Sequence, residues 1–538
     1  MPAPSLAAAA RTTVVRPPDP KLRSALHLAL AFAGVKLLLH IAATLYAGHL
    51  GYSYFRDEFY YFVCGQRLAW GYVDHGPGIA IQARLTTLLF GTSVLGIRML
   101  SALAGAIAVF LTGILAWALG GQRSAQSLAM LGLLVAPEYL ALDSFLSMNS
   151  FEPVFWMFCT LAVIRLVSGA SPRKWWTLFG ISAGLGLLNK PSMTFFLVAL
   201  LLGLLLTPQR SVLFTRWTAL AIAILTLIAL PNLLWQMHNS WPTLAFLHNG
   251  QIEHKNVELP FLPFLGGQIR MMHPLNALLW ITGLISLLRA RSIPHMRGIA
   301  LSYLVFFALT FKLHAKDYYL APFYPVLFAA GAIAWQHRFA TTERRRISAF
   351  AFPVYQTLLV ITGLLLLPMA IPVLRPPTWI AYTTALHLRN SPTENVRTST
   401  LPQFYADRFG WLQYLHLVNT AYQSLSPADR ARVALYADNY GEAGALDLLG
   451  ARQHLGLPPA ISGHNTYWLW GTHGRDTDLV IAISGGTAEE LQHKYRSVTL
   501  IGSMDDPLAM PYEHKKVYLL RGRRPNAPFD WNKTKDYI

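Results

Sequence analysis

The sequence predicts an all-α polytopic membrane protein that ends in a small α/β domain. The chain has 538 residues, is 54% hydrophobic and has a mean hydropathy of +0.37. Apolar runs of about 20 residues, the length that crosses roughly 30 Å of hydrocarbon, recur up to position 371. After Arg375 the apolar runs become shorter and alternate with polar sequence, which is typical of a soluble domain.

About eleven spans account for the apolar runs. Residues 1–24 are rich in Pro and Ala and carry four basic side chains, which predicts a cytoplasmic tail before an uncleaved first span. The spans are predicted near positions 25–47, 94–117, 125–143, 148–167, 175–189, 191–207, 217–235, 268–288, 298–312, 319–336 and 348–371. With the N-terminus inside, every basic cluster between spans is cytoplasmic. The odd number of spans then places residues 375–538 on the opposite face, which is the periplasmic face of a bacterial inner membrane.

The net charge of +18 belongs mainly to the membrane part. Residues 1–374 hold 27 Lys and Arg against 11 Asp and Glu, whereas residues 375–538 hold 17 against 15. A basic excess among spans is expected to set topology, so it argues against nucleic acid as a partner. The two cysteines, Cys64 and Cys159, are too few for a disulfide framework.

Five polar segments are predicted to emerge on the outer face. The first outer loop, residues 48–93, concentrates charged side chains among aromatic rings in a chain that is only 13% charged. The other four segments are the connection from Asp143 to Asn149, the turn at Lys190, residues 238–267, and LHAKDYY from Leu313. Ionisable residues at a membrane surface are functional candidates, so we expect a polar site on the outer face.

The C-terminal region predicts five strands and a helix. The strands are RVALYA from Arg432, PAISG from Pro459, DLVIAIS from Asp478, SVTLIGS from Ser497 and KVYLLRG from Lys516, with a helix over GEAGALDLLGARQ from Gly441. The sequence contains no Walker loop, dinucleotide-binding glycine pattern, HExxH motif or Cys-rich metal spacing. No cofactor is therefore predicted, and a divalent cation is not indicated.

Four segments of the membrane part resemble one known family. They are RDEFYYFVCGQRLAWGYVDHGPGIA from Arg56, LDSFLSMNSFEPVFW from Leu142, GLGLLNKPSMTFF from Gly184 and KDYYLAPFYPVLFAAGA from Lys316. In this order they resemble glycosyltransferase family 39, the bacterial relatives of protein O-mannosyltransferases and of the lipid A aminoarabinose transferase. The resemblance implies the GT-C fold and a polyprenyl-phosphate-linked sugar as donor. With the change of composition after Arg375, it predicts a catalytic membrane domain over residues 25–374 and a periplasmic α/β domain over residues 375–538. The acceptor is a lipid, a glycan or a protein.

The resemblance places the catalytic base at Asp57, with Glu58 beside it. Attack of an acceptor hydroxyl on the anomeric carbon then inverts that centre. The departing lipid phosphate is a stable anion, so it needs electrostatic stabilisation more than a general acid. In the alternative reading, the two carboxylates only favour the N-terminal dipole of a juxtamembrane helix. A phosphate acceptor would need no base, and Asp57 would then only orient the substrate.

Three cations are candidates for binding the lipid phosphate: Lys190, Arg270 and Lys316. The alternative for Lys190 is an interfacial lysine that reaches toward water, and for Arg270 a buried pair with a carboxylate such as Asp143. Tyr319 beside Lys316 is a further substrate-binding candidate, with simple anchoring at the interface as its alternative.

The remaining substrate-binding candidates are Tyr60, Asp74, His75 and Asp143. Asp74 lies in the turn-forming segment GYVDHGP, where it either holds a sugar hydroxyl or braces the loop. Asp143 and Glu152 flank a short connection, and hydrogen-bonding or structural roles suit them better than a metal site, for which too few oxygen ligands converge.

Two functions of other classes are alternatives to transfer. A secondary transporter or lipid flippase shares the apolar composition, but such proteins often show paired halves with matching broken helices, and no such symmetry is evident in the sequence. A membrane scaffold without activity is the second alternative, and the presence of Asp57, Lys190 and Lys316 argues against it.

Overall fold

The computed structural model describes residues 22–290, 293–339, 342–388, 394–475 and 477–538, with residues 342–349 as backbone only. Most of the predicted tail, residues 1–21, lies outside these ranges. The described membrane part contains sixteen helices and two short 3-10 helices, Pro208–Leu213 and Asp317–Phe323. The helices are α1 Leu22–His49, α2 Arg56–Gln66, α3 Pro77–Phe90, α4 Val94–Ala118, α5 Arg123–Val135, α6 Pro137–Leu142, α7 Met148–Val167, α8 Pro172–Asn189, α9 Ser192–Leu205, α10 Arg216–His238, α11 Pro242–Ile252, α12 Phe261–Met271, α13 Asn276–Arg289, α14 Arg297–Lys312, α15 Tyr324–Arg338 and α16 Thr342–Ala370.

Each predicted span coincides with helical structure. Some of the spans are single long helices, and others are divided into shorter helices. Within the described ranges, six helical segments are long and apolar enough to cross a membrane, and a bent pair of helices makes up to seven. The six are Leu22–His49, Val94–Ala118, Met148–Val167, Arg216–His238, Asp317–Arg338 and Phe350–Ala370. The chain is therefore a multi-pass membrane protein, whereas the count of eleven spans and the orientation stay predictions.

Prolines explain where predicted spans are broken. The span predicted over 125–143 is divided between α5 and α6, because Ala136 precedes Pro137 and takes an extended conformation. The span predicted over 268–288 is wrong as a single helix: α12 and α13 meet at 110°, and the connection contains Pro274 after His273 with a positive φ of 75°. Lys190, before Pro191, is likewise extended and separates α8 from α9.

The C-terminal part is a mixed α/β structure, and all five predicted strands and the predicted helix are confirmed. Its helices are α17 Pro376–Ala385, α18 Gln403–Ala406, α19 Trp411–Gln423, α20 Pro427–Arg432, α21 Tyr440–Arg452, α22 Thr466–Trp470 and α23 Ala488–Gln492. Its strands are β1 Ala434–Ala437, β2 Ala460–Ile461, β3 Leu479–Ser484, β4 Tyr495–Ser503 and β5 Lys516–Arg523. Strand β1 pairs in parallel with β2 and β3, and β5 pairs antiparallel with β3 and β4, in the order β2-β1-β3-β5-β4.

The sheet separates two apolar layers because successive side chains of a strand point to opposite faces. Leu435, Ile481 and Leu519 belong to one face, which packs with α19 and α21. Tyr436 and Leu520 belong to the other face. The first of these layers also contains residues of α2 and α3, so the C-terminal part and the first outer loop share one apolar core.

Two glycines of α21 allow this close approach. A Cβ atom on Gly444 would lie 2.8 Å from the backbone carbon of Phe59, and one on Gly441 would lie 2.5 Å from Cγ of Arg56. The helix therefore packs directly against the backbone of α2. This contact brings Tyr440, the first residue of α21, to the start of the first outer loop.

Candidate functional site

The two acidic residues at the start of α2 have different surroundings. Both lie in its first turn, where a carboxylate favours the helix dipole, and the Glu58 carboxylate also accepts a hydrogen bond from the Phe55 backbone N–H at 2.7 Å. Although they are neighbours in the same turn, the Glu58 side chain is fully buried and the Asp57 side chain is half-buried.

Glu58 has a structural environment. Both of its oxygens accept hydrogen bonds from Arg98 of α4, at 2.7 Å each, and Oε1 accepts another from the Leu146 backbone N–H at 2.9 Å. The pair is almost completely shielded from solvent. Because this carboxylate is already bound on both oxygens and faces no open space, we assign it to a structural ion pair that connects the start of α2 with α4, rather than to catalysis.

Asp57 is half-buried and has one hydrogen-bonded carboxylate oxygen. Its Oδ1 accepts a hydrogen bond from the Tyr440 hydroxyl at 2.9 Å, and the Arg56 guanidinium lies 4.7 Å from the centre of the Tyr440 ring. Burial raises the pKa of the Asp57 carboxyl, and this outweighs the opposing effects of Arg56 and the Tyr440 hydrogen bond. Glu394 and Asp74 add to the increase. The carboxylate is thus a stronger proton acceptor than an exposed aspartate.

Asp74 and Tyr60 extend this arrangement. The Tyr60 hydroxyl donates to Asp74 Oδ1 at 2.7 Å and contacts the Thr466 hydroxyl at 2.6 Å, while its ring stacks on Tyr440 at 4.7 Å between centres. Tyr60 is almost fully buried, whereas Asp74 is half-buried. Tyr60 therefore positions Asp74, whose carboxylate acts electrostatically on Asp57.

His75 is enclosed by its own loop. Its ring stacks on Tyr72 at 4.6 Å, Nδ1 lies 2.8 Å from the Gly76 carbonyl oxygen, and Nε2 lies 3.7 Å from the Cys64 sulfur. The side chain is 1% exposed. We therefore assign His75 to the conformation of the loop rather than to substrate binding.

A short ion pair lies beside Asp57. Lys316 Nζ is 2.6 Å from Glu394 Oε1, and both side chains are largely buried. Burial disfavours the charged form of Glu394, but Lys316 and Lys255 outweigh it and lower its pKa to about 2. Asp57 acts electrostatically on both lysines, so the three charges share one region.

Hydrogen bonds hold the Glu394 segment on the loop that carries Lys255. The Asn395 backbone N–H donates to the Lys255 carbonyl at 2.9 Å. The Asn395 side chain donates to the carbonyls of His254 and Asn256 at 2.7 and 3.0 Å. The segment after the last membrane helix and the residues 238–267 loop thus meet at the site.

Lys190 is a fixed cation rather than a lysine that reaches into water. Its Nζ donates to Asn149 Oδ1 at 2.7 Å and to Glu152 Oε2 at 2.9 Å. The Tyr319 ring centre lies 4.1 Å from the same nitrogen, a cation–π distance. Because Tyr319 also interacts with Lys316, these three residues form a continuous polar path.

Asp143 and Arg270 do not form a pair with each other. Asp143 Oδ2 lies 3.0 Å from Lys36 Nζ of α1, and both side chains are buried. Lys36 also donates to the Tyr139 carbonyl, so this pair joins α1 to α6, and we assign Asp143 to helix packing. Arg270 is exposed and acts electrostatically on Asp317.

The structure therefore brings together Asp57, Asp74, Lys190, Lys316 and Tyr319. It adds residues that the sequence reasoning missed: Lys36, Arg98, Lys255, Glu394 and Tyr440. Among these, Tyr440 directly precedes the helix that the sequence predicts from Gly441, and the others had no signal in the sequence. In the part of the chain that is described, no group of three or more His, Cys, Asp or Glu side chains converges as metal ligands do.

Comparisons with known proteins agree with the family resemblance that the sequence motifs predict. Residues 74–235 match the family model of dolichyl-phosphate-mannose-protein mannosyltransferases. The apo crystal structure of ArnT from Cupriavidus metallidurans is similar over 92% of this chain and 98% of its own, at 16% identity and a TM-score of 0.55. The structure of that protein bound to undecaprenyl phosphate is similar over 91% and 97%, at 14% identity and the same TM-score. A search of curated proteins found no match. The predicted resemblance is confirmed, and the structural likeness shows the fold.

Proposed function

We propose that this chain, a GT-C-fold membrane protein related to the mannosyltransferases, transfers a sugar from a polyprenyl-phosphate donor to an acceptor on the periplasmic face of a bacterial inner membrane. The observation that carries the proposal is that Asp57 interacts electrostatically with Lys316 and Lys255, and that all three side chains are half-buried. This cluster combines a base with cations suited to a lipid phosphate. The undecaprenyl phosphate bound to the similar ArnT structure supports this class of donor.

In the proposed reaction, Asp57 removes the proton of the acceptor hydroxyl. The acceptor oxygen forms a bond to the anomeric carbon while the bond from that carbon to the phosphate oxygen breaks, so polyprenyl phosphate leaves with the electron pair and the centre inverts. Tyr440 holds Oδ1 of Asp57 by a hydrogen bond, which leaves Oδ2 to accept the proton. Asp74, held by Tyr60, is placed to bind a sugar hydroxyl.

The lysines of the cluster stabilise the departing phosphate. Lys316 and Lys255 lie near Asp57, and Lys190 with the Tyr319 ring continues the path. Positive charge fixed before the reaction stabilises the phosphate as its negative charge develops. In the structure, Glu394 takes the position of an anion between two of these lysines.

The arrangement of domains supports separate regions for sugar transfer and for acceptor selection. In this proposal residues 25–374 carry the transfer, with residues 48–93 as the catalytic outer loop, and residues 375–538 form a periplasmic domain over that loop. The close packing of α21 on α2 gives the C-terminal part access to the site. We infer that this part and residues 238–267 select the acceptor, because Tyr440, Glu394 and Lys255 come from them.

A transfer and binding assay tests the proposal. Purified protein in lipid nanodiscs is given a panel of radiolabelled polyprenyl-phosphate sugars, and wild type is compared with Asp57→Asn, with Asp505→Asn as an exposed control. We expect at least one donor to be consumed by wild type and the control, and to be bound but not consumed by Asp57→Asn. If no donor of the panel binds to wild type, the proposal is wrong.

A further inference from the structure

A cavity of about 400 Å³ lies on the C-terminal sheet, on the face opposite to the candidate active site. Its floor consists of alternate strand residues, Tyr436 of β1, Val480 and Ala482 of β3, and Leu520 of β5. The other face of the same strands packs on α19 and α21. Residues 527–530, 533 and 534 form one wall. The cavity is therefore separated from Asp57 by the sheet and a helix.

One arginine in the cavity is held in a fixed orientation. Arg523 Nη1 donates to the Tyr495 hydroxyl and Nε donates to the Ala527 carbonyl, both at 2.7 Å. The guanidinium carbon lies 5.0 Å from the ring centres of both Tyr495 and Phe529. Among the residues that the structure describes, Nη2 has no hydrogen-bond partner. A guanidinium held this way loses little freedom when it binds a carboxylate or a phosphate.

The other charges of the cavity leave a positive excess at its rim. Lys494 and Lys533 are exposed, and neither has an ion-pair partner in the described ranges. Of the two carboxylates, Asp438 accepts from the Gly485 N–H at 2.9 Å and lies 3.4 Å from Lys515 Nζ, whereas Asp530 is exposed and accepts from the Asn532 backbone N–H at 3.0 Å. Three cations, Arg523, Lys494 and Lys533, thus face one unpaired carboxylate among the described residues of the cavity, which leaves a net positive charge for a ligand.

We propose that this cavity binds a sugar that carries a carboxylate or a phosphate group. The apolar floor with Tyr436 and Phe529 suits the flat face of a sugar ring, and Arg523 with the two rim lysines suits its anionic group. The volume lies in the range of small-molecule sites. This inference goes beyond the transfer reaction, because none of its residues belongs to the candidate active site.

Calorimetric titration of the full-length protein in detergent tests this binding. The probes are glucose 6-phosphate and glucuronate, with neutral glucose and inorganic phosphate as comparisons. We expect at least one anionic sugar to bind about tenfold more tightly than both comparisons, because only it uses the floor and the cations together. If neither anionic sugar binds, or if inorganic phosphate binds as tightly, the proposal is overturned.

Variants assign the binding to this cavity. Arg523→Gln should weaken it about tenfold, whereas Arg524→Gln, the exposed neighbour, and Lys316→Gln, in the candidate active site, should leave it unchanged. If Arg523→Gln lowers the unfolding temperature, the double variant Lys494→Gln/Lys533→Gln replaces it, since both of these side chains are exposed. Loss of binding in Lys316→Gln, or unchanged binding in both cavity variants, would overturn the assignment. Because the probes carry no lipid, failure of this test leaves the proposed transfer unaffected.

Discussion

Replacing Glu394 with glutamine should make the protein bind polyprenyl phosphate more tightly. The Glu394 carboxylate lies 2.6 Å from Lys316 and is also attracted by Lys255. A phosphate that binds these lysines must compete with this carboxylate. Glutamine has nearly the same shape but no charge, so the substitution removes the competitor and leaves both lysines in place.

The size of the effect follows from the ion pair. Its two side chains are 16% and 17% exposed, so water screens the interaction only partly. Glutamine keeps a hydrogen bond to the charged Lys316 but loses the Coulomb attraction between two opposite charges, which is about 1–4 kcal/mol for a partly screened pair. A loss of about 1.4 kcal/mol, near the lower end of that range, corresponds to a roughly tenfold lower Kd.

The assay is intrinsic tryptophan fluorescence of the protein in nanodiscs, titrated with undecaprenyl phosphate. Glu258→Gln is a matched control, because it removes an exposed carboxylate from the loop of Lys255. Lys316→Gln should weaken binding about tenfold or more. If Glu394→Gln weakens binding as Lys316→Gln does, then Glu394 holds the site in shape rather than competing with the phosphate, and the reasoning is refuted.

Three other regions give further predictions. Asp57→Asn should reduce transfer at least about 100-fold with donor binding retained, in line with the contribution of a general base. Burial raises the pKa of Asp57, and the base must be ionised to accept a proton. As the pH is lowered, kcat of the wild type should therefore begin to fall above pH 4, which is about the pKa of an ordinary aspartate. Arg98→Met leaves Glu58 buried without its partner and should cost about 3–5 kcal/mol of stability, seen as a lower Tm in detergent. Gly444→Val should force α21 away from α2 and reduce transfer.

Control measurements distinguish an effect on the candidate site from a loss of folding stability. Asp57→Asn must keep the wild-type Tm, or its loss of transfer reflects unfolding. The double variant Glu58→Gln/Arg98→Met should regain part of the lost stability, because no uncompensated charge remains, and a double variant no more stable than Arg98→Met contradicts the pairing. Gly48→Val, at a helical glycine with open space around it, should keep full activity, and equal loss in both glycine variants rejects the role of the α21 contact.

The sequence by itself determined the features that depend on local order. Long apolar runs predict the membrane helices, and short apolar runs within polar sequence predict the five strands, because both patterns are properties of neighbouring residues. The breaks at Pro137 and Pro191 follow from the same local rule, although the predictions anticipated only the second. The candidate base at Asp57 and the cations at Lys190 and Lys316 came from family motifs.

Only the tertiary structure decided which charged side chains form ion pairs with each other. Glu58 and Arg98 are 40 positions apart, and Lys316 and Glu394 are 78 apart, so no local pattern relates them. The fold places Arg98 of α4 beside Glu58, while packing of α21 on α2 places the Tyr440 hydroxyl on Asp57. A charged side chain has a different role when it is paired in a shielded core than when it faces an open site, and only the fold determines which of these holds.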